Sequence, residues 1–294
     1  MEAILLYAGC MTRPAIPIQS SISPIAADAQ AWLVDIWGVL HNGARAFPAA
    51  CEACRRFRGK GGIVVLISNA PRPFTAVVPH LTSLGVPADA YDTGITSGDV
   101  TRGLLGAWRG RRVLHIGPER DLGLFTGLDL SLVAAEAAEA VVCSGLYDDT
   151  RETPADYAGL FEGLLARSLP MICANPDIKV ERGGELVWCA GALAADYEAK
   201  GGEVVYGGKP HLPIYQRALA IIDALAARPV SKNTVLAIGD GLETDLRGAH
   251  AAGLPSVFIA SAIHAPGGLG ADVLRELFAA RPFAPIAALP ALAW

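Results

Sequence analysis

The sequence predicts an α/β protein: a doubly wound parallel sheet with helices on both faces, and a smaller α/β domain inserted into it. Short apolar runs, such as residues 63–67, alternate along the chain with segments of helical periodicity. Alternation of this kind builds parallel sheets with right-handed crossovers. A hairpin signature at Arg182-Gly183-Gly184 interrupts the alternation, which indicates a separately folded insert.

The elements follow from these patterns and from Gly and Pro at their ends. A proline in its first turn opens the helix predicted at 47–60, and Gly61 ends it. Strands are predicted at 32–34, 63–67, 113–116, 140–143, 171–173, 204–206, 234–238 and 256–259, with the hairpin at 179–181 and 186–188. Further helices are predicted at 75–84, 154–166, 191–200, 213–226 and 244–251. The expected domains are a main domain over 1–97 and 190–294, in which residues 1–28 form an arm, and an insert over 98–189.

Composition excludes several classes of function. Of the 294 residues, 52% are hydrophobic and 18% charged, as in an ordinary globular protein. The net charge of −5 and the absence of a Lys/Arg block argue against a nucleic-acid partner. No apolar run approaches the roughly 18 residues that span a bilayer. Six scattered cysteines, with Cys51 and Cys54 in a helical pattern, are expected to pack in a core and to suit a reducing cytoplasm.

Four loops rich in polar residues follow predicted strands. They are Asp35-Ile36-Trp37-Gly38, Ser68-Asn69, Gly207-Gly208-Lys209-Pro210 and the stretch from Gly239 to Asp245. Ligands of open α/β sheets collect at the carboxyl ends of the strands, so these loops are expected to meet at one site.

The chemistry of these residue types suits phosphoryl transfer. Mg²⁺ prefers one or two carboxylates together with substrate phosphate, and the phosphoryl oxygens need fixed donors and positive charge. An aspartate can take the phosphoryl group covalently and so divide one difficult displacement into two easier ones.

With these four motifs in order and an insert between the second and the third, the chain resembles the haloacid dehalogenase (HAD) superfamily, specifically its class IIA phosphatases. The resemblance runs from about residue 22 to 260. It implies a Rossmann-like HAD core with a C2-type cap, and Mg²⁺-dependent hydrolysis of a small phosphorylated metabolite through a phospho-aspartyl intermediate. The implied roles are Asp35 as nucleophile and metal ligand, Ser68 and Asn69 as phosphoryl-binding groups, Lys209 as the neutralising cation, and Asp240, Asp245 and the backbone carbonyl of Trp37 as metal ligands.

Trp37 is a departure from the family pattern. Phosphatases of the family carry a second acid there, whereas an indole N–H donates a hydrogen bond but does not titrate usefully. Three interpretations follow: a slow phosphatase that borrows an acid from His41 or His211, a different reaction of the superfamily, or a phospholigand-binding protein without turnover.

The cap supplies the candidates for substrate recognition. In class IIA proteins the loop that corresponds to Asn175-Pro176-Asp177 faces the core site, which makes Asn175 and Asp177 candidate specificity residues. Arg72 is expected either to bind the substrate anion or to pair with a surface acid, and His211 to contact substrate. The expected partners are a small phosphorylated substrate and a second copy of the chain through the cap, with neither nucleic acid nor membrane.

Overall fold

The computed structural model describes residues 15–182, 184–260 and 268–294; the predictions for residues 1–14, Cys10 among them, lie outside this range. The strands are β1 Ala31–Asp35, β2 Ile63–Ser68, β3 Thr93–Thr96, β4 Arg112–Ile116, β5 Ser131–Leu132, β6 Ala140–Cys143, β7 Met171–Cys173, β8 Lys179–Arg182, β9 Glu185–Trp188, β10 Val204–Tyr206, β11 Val235–Gly239, β12 Ser256–Ile259 and β13 Ala287–Leu289. The helices are α1 Ser23–Ala26, α2 Pro48–Gly59, α3 Phe74–Ser83, α4 Ser97–Leu105, α5 Ala158–Ala166, α6 Ala190–Ala199, α7 Leu212–Leu225, α8 Arg247–Ala252 and α9 Ala271–Phe278.

A six-stranded parallel sheet in the order β13-β12-β11-β1-β2-β3 forms the main domain. The side chains of β1 alternate between its two faces: Trp32 and Val34 pack in one apolar cluster, and Ala31 and Leu33 in the other. The first cluster contains residues of α2 and α3, and the second contains residues of α7 and α8. Helices on both faces of a parallel sheet define the doubly wound α/β class, so the predicted fold class is confirmed.

A second parallel sheet, in the order β10-β7-β6-β4-β5, forms the insert, and β8 pairs with β9 as a separate antiparallel hairpin. This unit has its own core, in which Phe161 of α5 and Tyr197 of α6 are fully buried. We call it the cap, and its hairpin the cap hairpin.

The boundaries of the cap differ from the prediction of 98–189. Helix α6 packs in the core of the cap, and β10 pairs with β7 through Val204 and Met171, so residues 190–206 belong to the cap instead of the main domain. A short strand offers the same apolar signal in either sheet, and only its pairing decides which sheet it joins. At the other boundary, α4 connects the two units: Val100 packs in the core of the main domain and Leu105 against the cap.

Several short elements escaped the sequence analysis. The elements that were not predicted are β3, β5, β13, α4 and α9. Strand β3 has the sequence TGIT, whose polar and glycine residues give no apolar run. Within the described residues no helix is both long and apolar enough to cross a bilayer.

Candidate active site

The candidate site lies at the carboxyl edge of the main sheet, above its central strand. Asp35 ends β1, Ser68 ends the neighbouring strand β2, and Asp240 follows β11 on the other side. These three loops therefore meet as the sequence predicted for parallel strands. The fourth loop differs: Lys209 follows β10 of the cap sheet and reaches the site where the chain returns to the main domain.

Lys209 lies at the centre of the site and is 2% exposed. Its Nζ donates to Oδ1 of Asp35 at 2.5 Å and to Oδ1 of Asp245 at 2.8 Å. Both carboxylates are 5% exposed, so these ion pairs are shielded from solvent. A buried ammonium that bridges two buried acids fixes the position of both, because breaking either pair would leave an uncompensated charge.

The carboxylates of Asp35, Asp240 and Asp245 each offer an oxygen within 4.8 Å of the other two. Three carboxylates against one ammonium leave a local excess of negative charge, and hard oxygens are the ligands of Mg²⁺ and Ca²⁺. The absence of a side chain at Gly38 leaves space for the carboxylate of Asp240, since a Cβ on Gly38 would lie 2.3 Å from its Oδ2. The donor set and its charge therefore fit a divalent cation.

The same excess of negative charge affects the pKa values of Asp35 and Lys209. Burial and the neighbouring carboxylate of Asp245 raise the pKa of Asp35 well above its ordinary value. Burial opposes the charge of Lys209, but the carboxylates of Asp245 and Asp35 outweigh it and raise the pKa of the ammonium. Lys209 thus remains charged, while Asp35 requires further positive charge nearby to ionise.

Ser68 and Asn69 line the side of the cavity next to Asp35. The hydroxyl of Ser68 accepts the amide N–H of Ala70 at 3.2 Å. Asn69 is held by Lys209: its Oδ1 accepts the Lys209 amide at 2.7 Å, and its Nδ2 donates to the Lys209 carbonyl at 3.1 Å. The second and third motifs are thus joined through their backbone and side chains.

Asn69 also connects the main domain to the cap. Its Nδ2 donates to Oδ1 of Asp177 at 2.8 Å. Asn175 does not line the cavity; its Oδ1 accepts the Asp177 amide at 3.1 Å. Asp177 is thus placed as predicted, facing the core site, whereas Asn175 shapes the loop that carries it.

A π-helical turn, Leu242–Leu246, carries Asp245 and runs into α8, while Asp240 lies in the loop just before this turn. The amide of Gly241 donates to Oδ2 of Asp245 at 3.1 Å. The sequence analysis missed Tyr215 of α7, whose hydroxyl donates to the carbonyls of Thr244 and Asp245 at 3.3 and 3.2 Å. In the sequence, Tyr215 differs from other residues only by its place on the buried face of a helix. Ordinary core aromatic residues have the same property, so the sequence does not distinguish Tyr215 from them.

Trp37 lines the cavity, and its ring contacts the ring of His41 edge to face at a centroid distance of 5.1 Å. His41 itself is 2% exposed and does not line the cavity, while its Nδ1 accepts the amide of Gly43. Burial, and secondarily the neighbouring His80, lower its pKa to about 4. His41 is therefore a neutral core histidine, and the structure does not place it to replace the missing acid.

A cavity of about 660 Å³ lies between the main domain and the cap. Besides the residues of the four motifs, it is lined by His211, whose ring stacks on Tyr206 at 4.5 Å, and by residues that the sequence did not predict: Glu181 of the cap hairpin, Glu198 and Arg247. Burial and the neighbouring Arg247 lower the pKa of His211. These three unpredicted residues come from three separate elements, so no local motif signals them.

Arg72 does not line the cavity, so of its two expected roles it does not bind substrate but pairs with an acid, although this acid is buried and not at the surface. Its Nε lies 3.7 Å from Oδ1 of Asp121, a cap carboxylate that is 2% exposed. Burial raises the pKa of Asp121, and Arg72 partly offsets this. The arginine thus joins the main domain to the cap.

Comparisons with known proteins agree with this fold. The haloacid dehalogenase-like hydrolase family model matches residues 32–131, and a HAD-hydrolase-like model matches residues 206–284. A crystal structure of a haloacid dehalogenase-like family hydrolase from Brucella suis 1330 is 44% identical, with a TM-score of 0.84, over 94% of this chain and 100% of that one. The chain therefore belongs to the haloacid dehalogenase-like hydrolase family.

Two further relatives have named activities. D-glycerol 3-phosphate phosphatase from Mycobacterium tuberculosis is 30% identical over 82% of this chain, which spans 65% of that relative's length. A crystal structure of glycerol phosphate phosphatase Rv1692 from Mycobacterium tuberculosis in complex with magnesium is 26% identical, with a TM-score of 0.61, over 82% of this chain and 69% of that one.

Proposed function

We propose that the protein hydrolyses small phosphomonoesters with Mg²⁺, through a phosphoryl group carried transiently on Asp35. The observation that carries the proposal is the pairing of Asp35 with Lys209 at 2.5 Å, at the edge of a cavity that also holds Asp240 and Asp245. A carboxylate in this position can attack phosphorus, and the ammonium beside it offsets the repulsion between two anions.

The residues around Asp35 have distinct tasks in this reaction. Lys209 holds the carboxylate in place and then neutralises charge on the transferred phosphoryl group. The hydroxyl of Ser68 and the backbone of Asn69 donate to the phosphoryl oxygens. Since these groups are already ordered by hydrogen bonds among themselves, little reorganisation is needed when substrate binds.

The metal ion would be held by Asp35, Asp240 and Asp245, together with the backbone carbonyl of Trp37 that the family resemblance implies. Mg²⁺ supplies positive charge for the phosphoryl oxygens when it is bound. The magnesium complex of the mycobacterial glycerol phosphate phosphatase supports this choice of metal.

We infer that the substrate is a small phosphorylated metabolite, such as a sugar, glycerol or nucleotide phosphate. The named activity of the D-glycerol 3-phosphate phosphatase supports this class. The cavity of about 660 Å³ is lined beyond the phosphoryl site by both acidic and basic side chains, which suits a polar leaving group.

Trp37 favours a second candidate function, the binding of a phosphorylated ligand with little or no turnover, because the group that usually protonates the leaving oxygen is replaced by an indole. Phosphate release from a panel of phosphorylated metabolites and from p-nitrophenyl phosphate, with Mg²⁺, distinguishes the two. We expect the wild type to turn over and Asp35→Asn to be inactive. An inert wild type that binds ligands and gains activity in Trp37→Asp would establish the binding protein instead.

A further inference from the structure

The proposed hydrolysis needs a proton donor that the main domain does not offer at position 37. When the phosphoryl group passes to Asp35, the leaving oxygen must gain a proton, and water must later lose one to release phosphate. General acid–base catalysis of this kind contributes roughly 10²–10⁴-fold. The replacement must be a titratable group that faces the cavity.

Asp177 faces the cavity from the cap, next to the phosphoryl-binding groups. Its Oδ1 lies 2.8 Å from Nδ2 of Asn69, and Asn69 in turn contacts the backbone of Lys209. Asp177 therefore lies one side chain away from both the second and the third motifs, and it lines the same cavity as Asp35.

The loop that carries Asp177 is fixed on both sides. Its amide donates to the side chain of Asn175 at 3.1 Å, and its carbonyl accepts the amide of Gly191 at 3.1 Å. A Cβ on Gly191 would lie only 2.2 Å from the carbonyl oxygen of Pro176, so helix α6 packs directly on the loop. This packing positions the carboxyl group over the site.

The direction of attack also favours an acid from the cap. In phosphoryl transfer the attacking and leaving oxygens lie roughly in line with phosphorus between them. Asp35 ends a strand of the main sheet and forms the floor of the cavity, so a leaving group points away from this floor and toward the cap. Asp177 is on that side.

The charges around Asp177 are compatible with a proton carrier. Burial raises the pKa of its carboxyl group, and the ammonium of Lys209 and the hydrogen bond from Asn69 lower it in part. The carboxylate of Asp245 and the thiols of Cys173 and Cys189 also lie close enough to interact. A carboxyl group with a raised pKa can hold a proton at a pH at which an ordinary aspartate has lost it.

We propose that Asp177 is the general acid and base of the reaction, in the place of the acid that Trp37 lacks; the inference rests on the proposed phosphatase function. In the first step an oxygen of Asp35 bonds to phosphorus, the bond to the leaving oxygen breaks, and that oxygen takes the proton of Asp177. In the second step the Asp177 carboxylate takes a proton from water, whose oxygen attacks phosphorus. The bond to Asp35 then breaks, its electron pair returns to the carboxylate, and phosphate leaves.

His211 is another candidate donor in the cavity, and the sequence alone suggested it for this role. Its ring stacks on Tyr206, and burial lowers its pKa, which disfavours the protonated form that a general acid needs. The His211 ring is thus engaged with a cap aromatic residue, whereas Asp177 bonds directly to Asn69 of the second motif. The geometry therefore favours Asp177.

The test is the dependence of rate on the leaving group. Wild type, Asp177→Asn and Asp177→Glu are compared on aryl phosphates whose phenols span a range of acidity, with Mg²⁺. Glu185→Gln, which removes an exposed carboxylate of the cap hairpin, is the control for loss of charge. The amide introduced by Asp177→Asn keeps an oxygen that can accept from Asn69, and circular dichroism and thermal unfolding verify the fold of each variant.

We expect Asp177→Asn to lower kcat/KM for phenyl phosphate by about 10²–10⁴-fold, and to lower it far less for 2,4-dinitrophenyl phosphate, whose leaving group needs no proton. This variant should also release the first equivalent of dinitrophenol in a burst, because water attack on the phosphoenzyme is slowed. In the wild type we expect kcat/KM to depend only weakly on the pKa of the leaving phenol, so that a plot of log kcat/KM against that pKa has a shallow slope. Asp177→Glu should keep this shallow slope even if its rates fall.

An equal loss across the aryl series, or a slope like that of the wild type, would overturn the role of Asp177 and leave it a positioning residue. If Asp177→Asn does not fold, a steep slope in Asp177→Glu would contradict the proposal and a shallow slope would support it. The proposed function fails separately, if the wild type hydrolyses none of these esters or if Asp35→Asn remains active.

Discussion

Gly38 offers a direct test of the carboxylate group without altering any charge. It belongs to the loop of Asp35 and lies against the side chain of Asp240, with φ at +85°. A Cβ at this position would be 2.3 Å from Oδ2 and 2.8 Å from Cγ of Asp240. Gly38→Ala therefore displaces the carboxylate of Asp240 from the position in which it lies close to those of Asp35 and Asp245.

Two effects add in this variant. An alanine with positive φ costs about 1–2 kcal/mol of backbone strain, which lowers the free energy of unfolding with or without metal. The displaced carboxylate is a separate effect, because loss of a well-placed ligand or of its support typically costs roughly 10–100-fold in metal affinity. The sum predicts a modest loss of stability and a large loss of Mg²⁺ binding.

Gly61 provides the matched control. Its φ is +87°, and nothing lies within 4 Å of the position of its Cβ. Gly61→Ala should therefore lose similar stability in urea denaturation but retain the Mg²⁺ affinity of the wild type in calorimetric titration. If Gly38→Ala binds Mg²⁺ as tightly as Gly61→Ala, the assignment of Asp240 to the metal site is wrong.

Two further predictions concern buried charge. Lys209→Met leaves Asp35 and Asp245 without their ammonium, and we expect the metal-free protein to lose about 3–5 kcal/mol in urea denaturation; unchanged stability would show that the ion pairs contribute nothing. The pKa of His41 is lowered to about 4 in the folded protein by burial and by His80, while an unfolded histidine titrates near about 6.5. The unfolded state thus binds a proton first as the pH falls, so this side chain should cost about 2 kcal/mol of stability between about pH 7 and pH 5. His41→Gln should remove that part of the pH dependence, and an unchanged pH dependence would contradict the assignment.

The main sheet and the loops of the candidate site follow from patterns that the sequence displays directly. Apolar runs of β1, β2 and β11 predict buried parallel strands, and parallel strands bring their carboxyl ends to one edge. Asp35, Ser68 and Asp240 consequently lie side by side in the structure as expected.

Other features depend on contacts between segments far apart in the chain, which the sequence does not display. The pairing of β10 with β7 moved residues 190–206 into the cap, and the ion pair with Asp121 took Arg72 out of the site. His41 had the residue type of a catalytic group, but its burial removes it from the cavity. In each case a long-range neighbour decided the outcome.

The proposed chemistry depends most on a phosphoryl group being carried by Asp35. Acid quenching during turnover of a phosphomonoester with Mg²⁺, followed by peptide mass spectrometry, tests this claim directly. We predict a phosphorylated peptide with the modification on Asp35, absent from Asp35→Asn and more abundant in Asp177→Asn. Sustained phosphate release with no phosphorylated Asp35, or with the phosphoryl group on another residue, would contradict the claim.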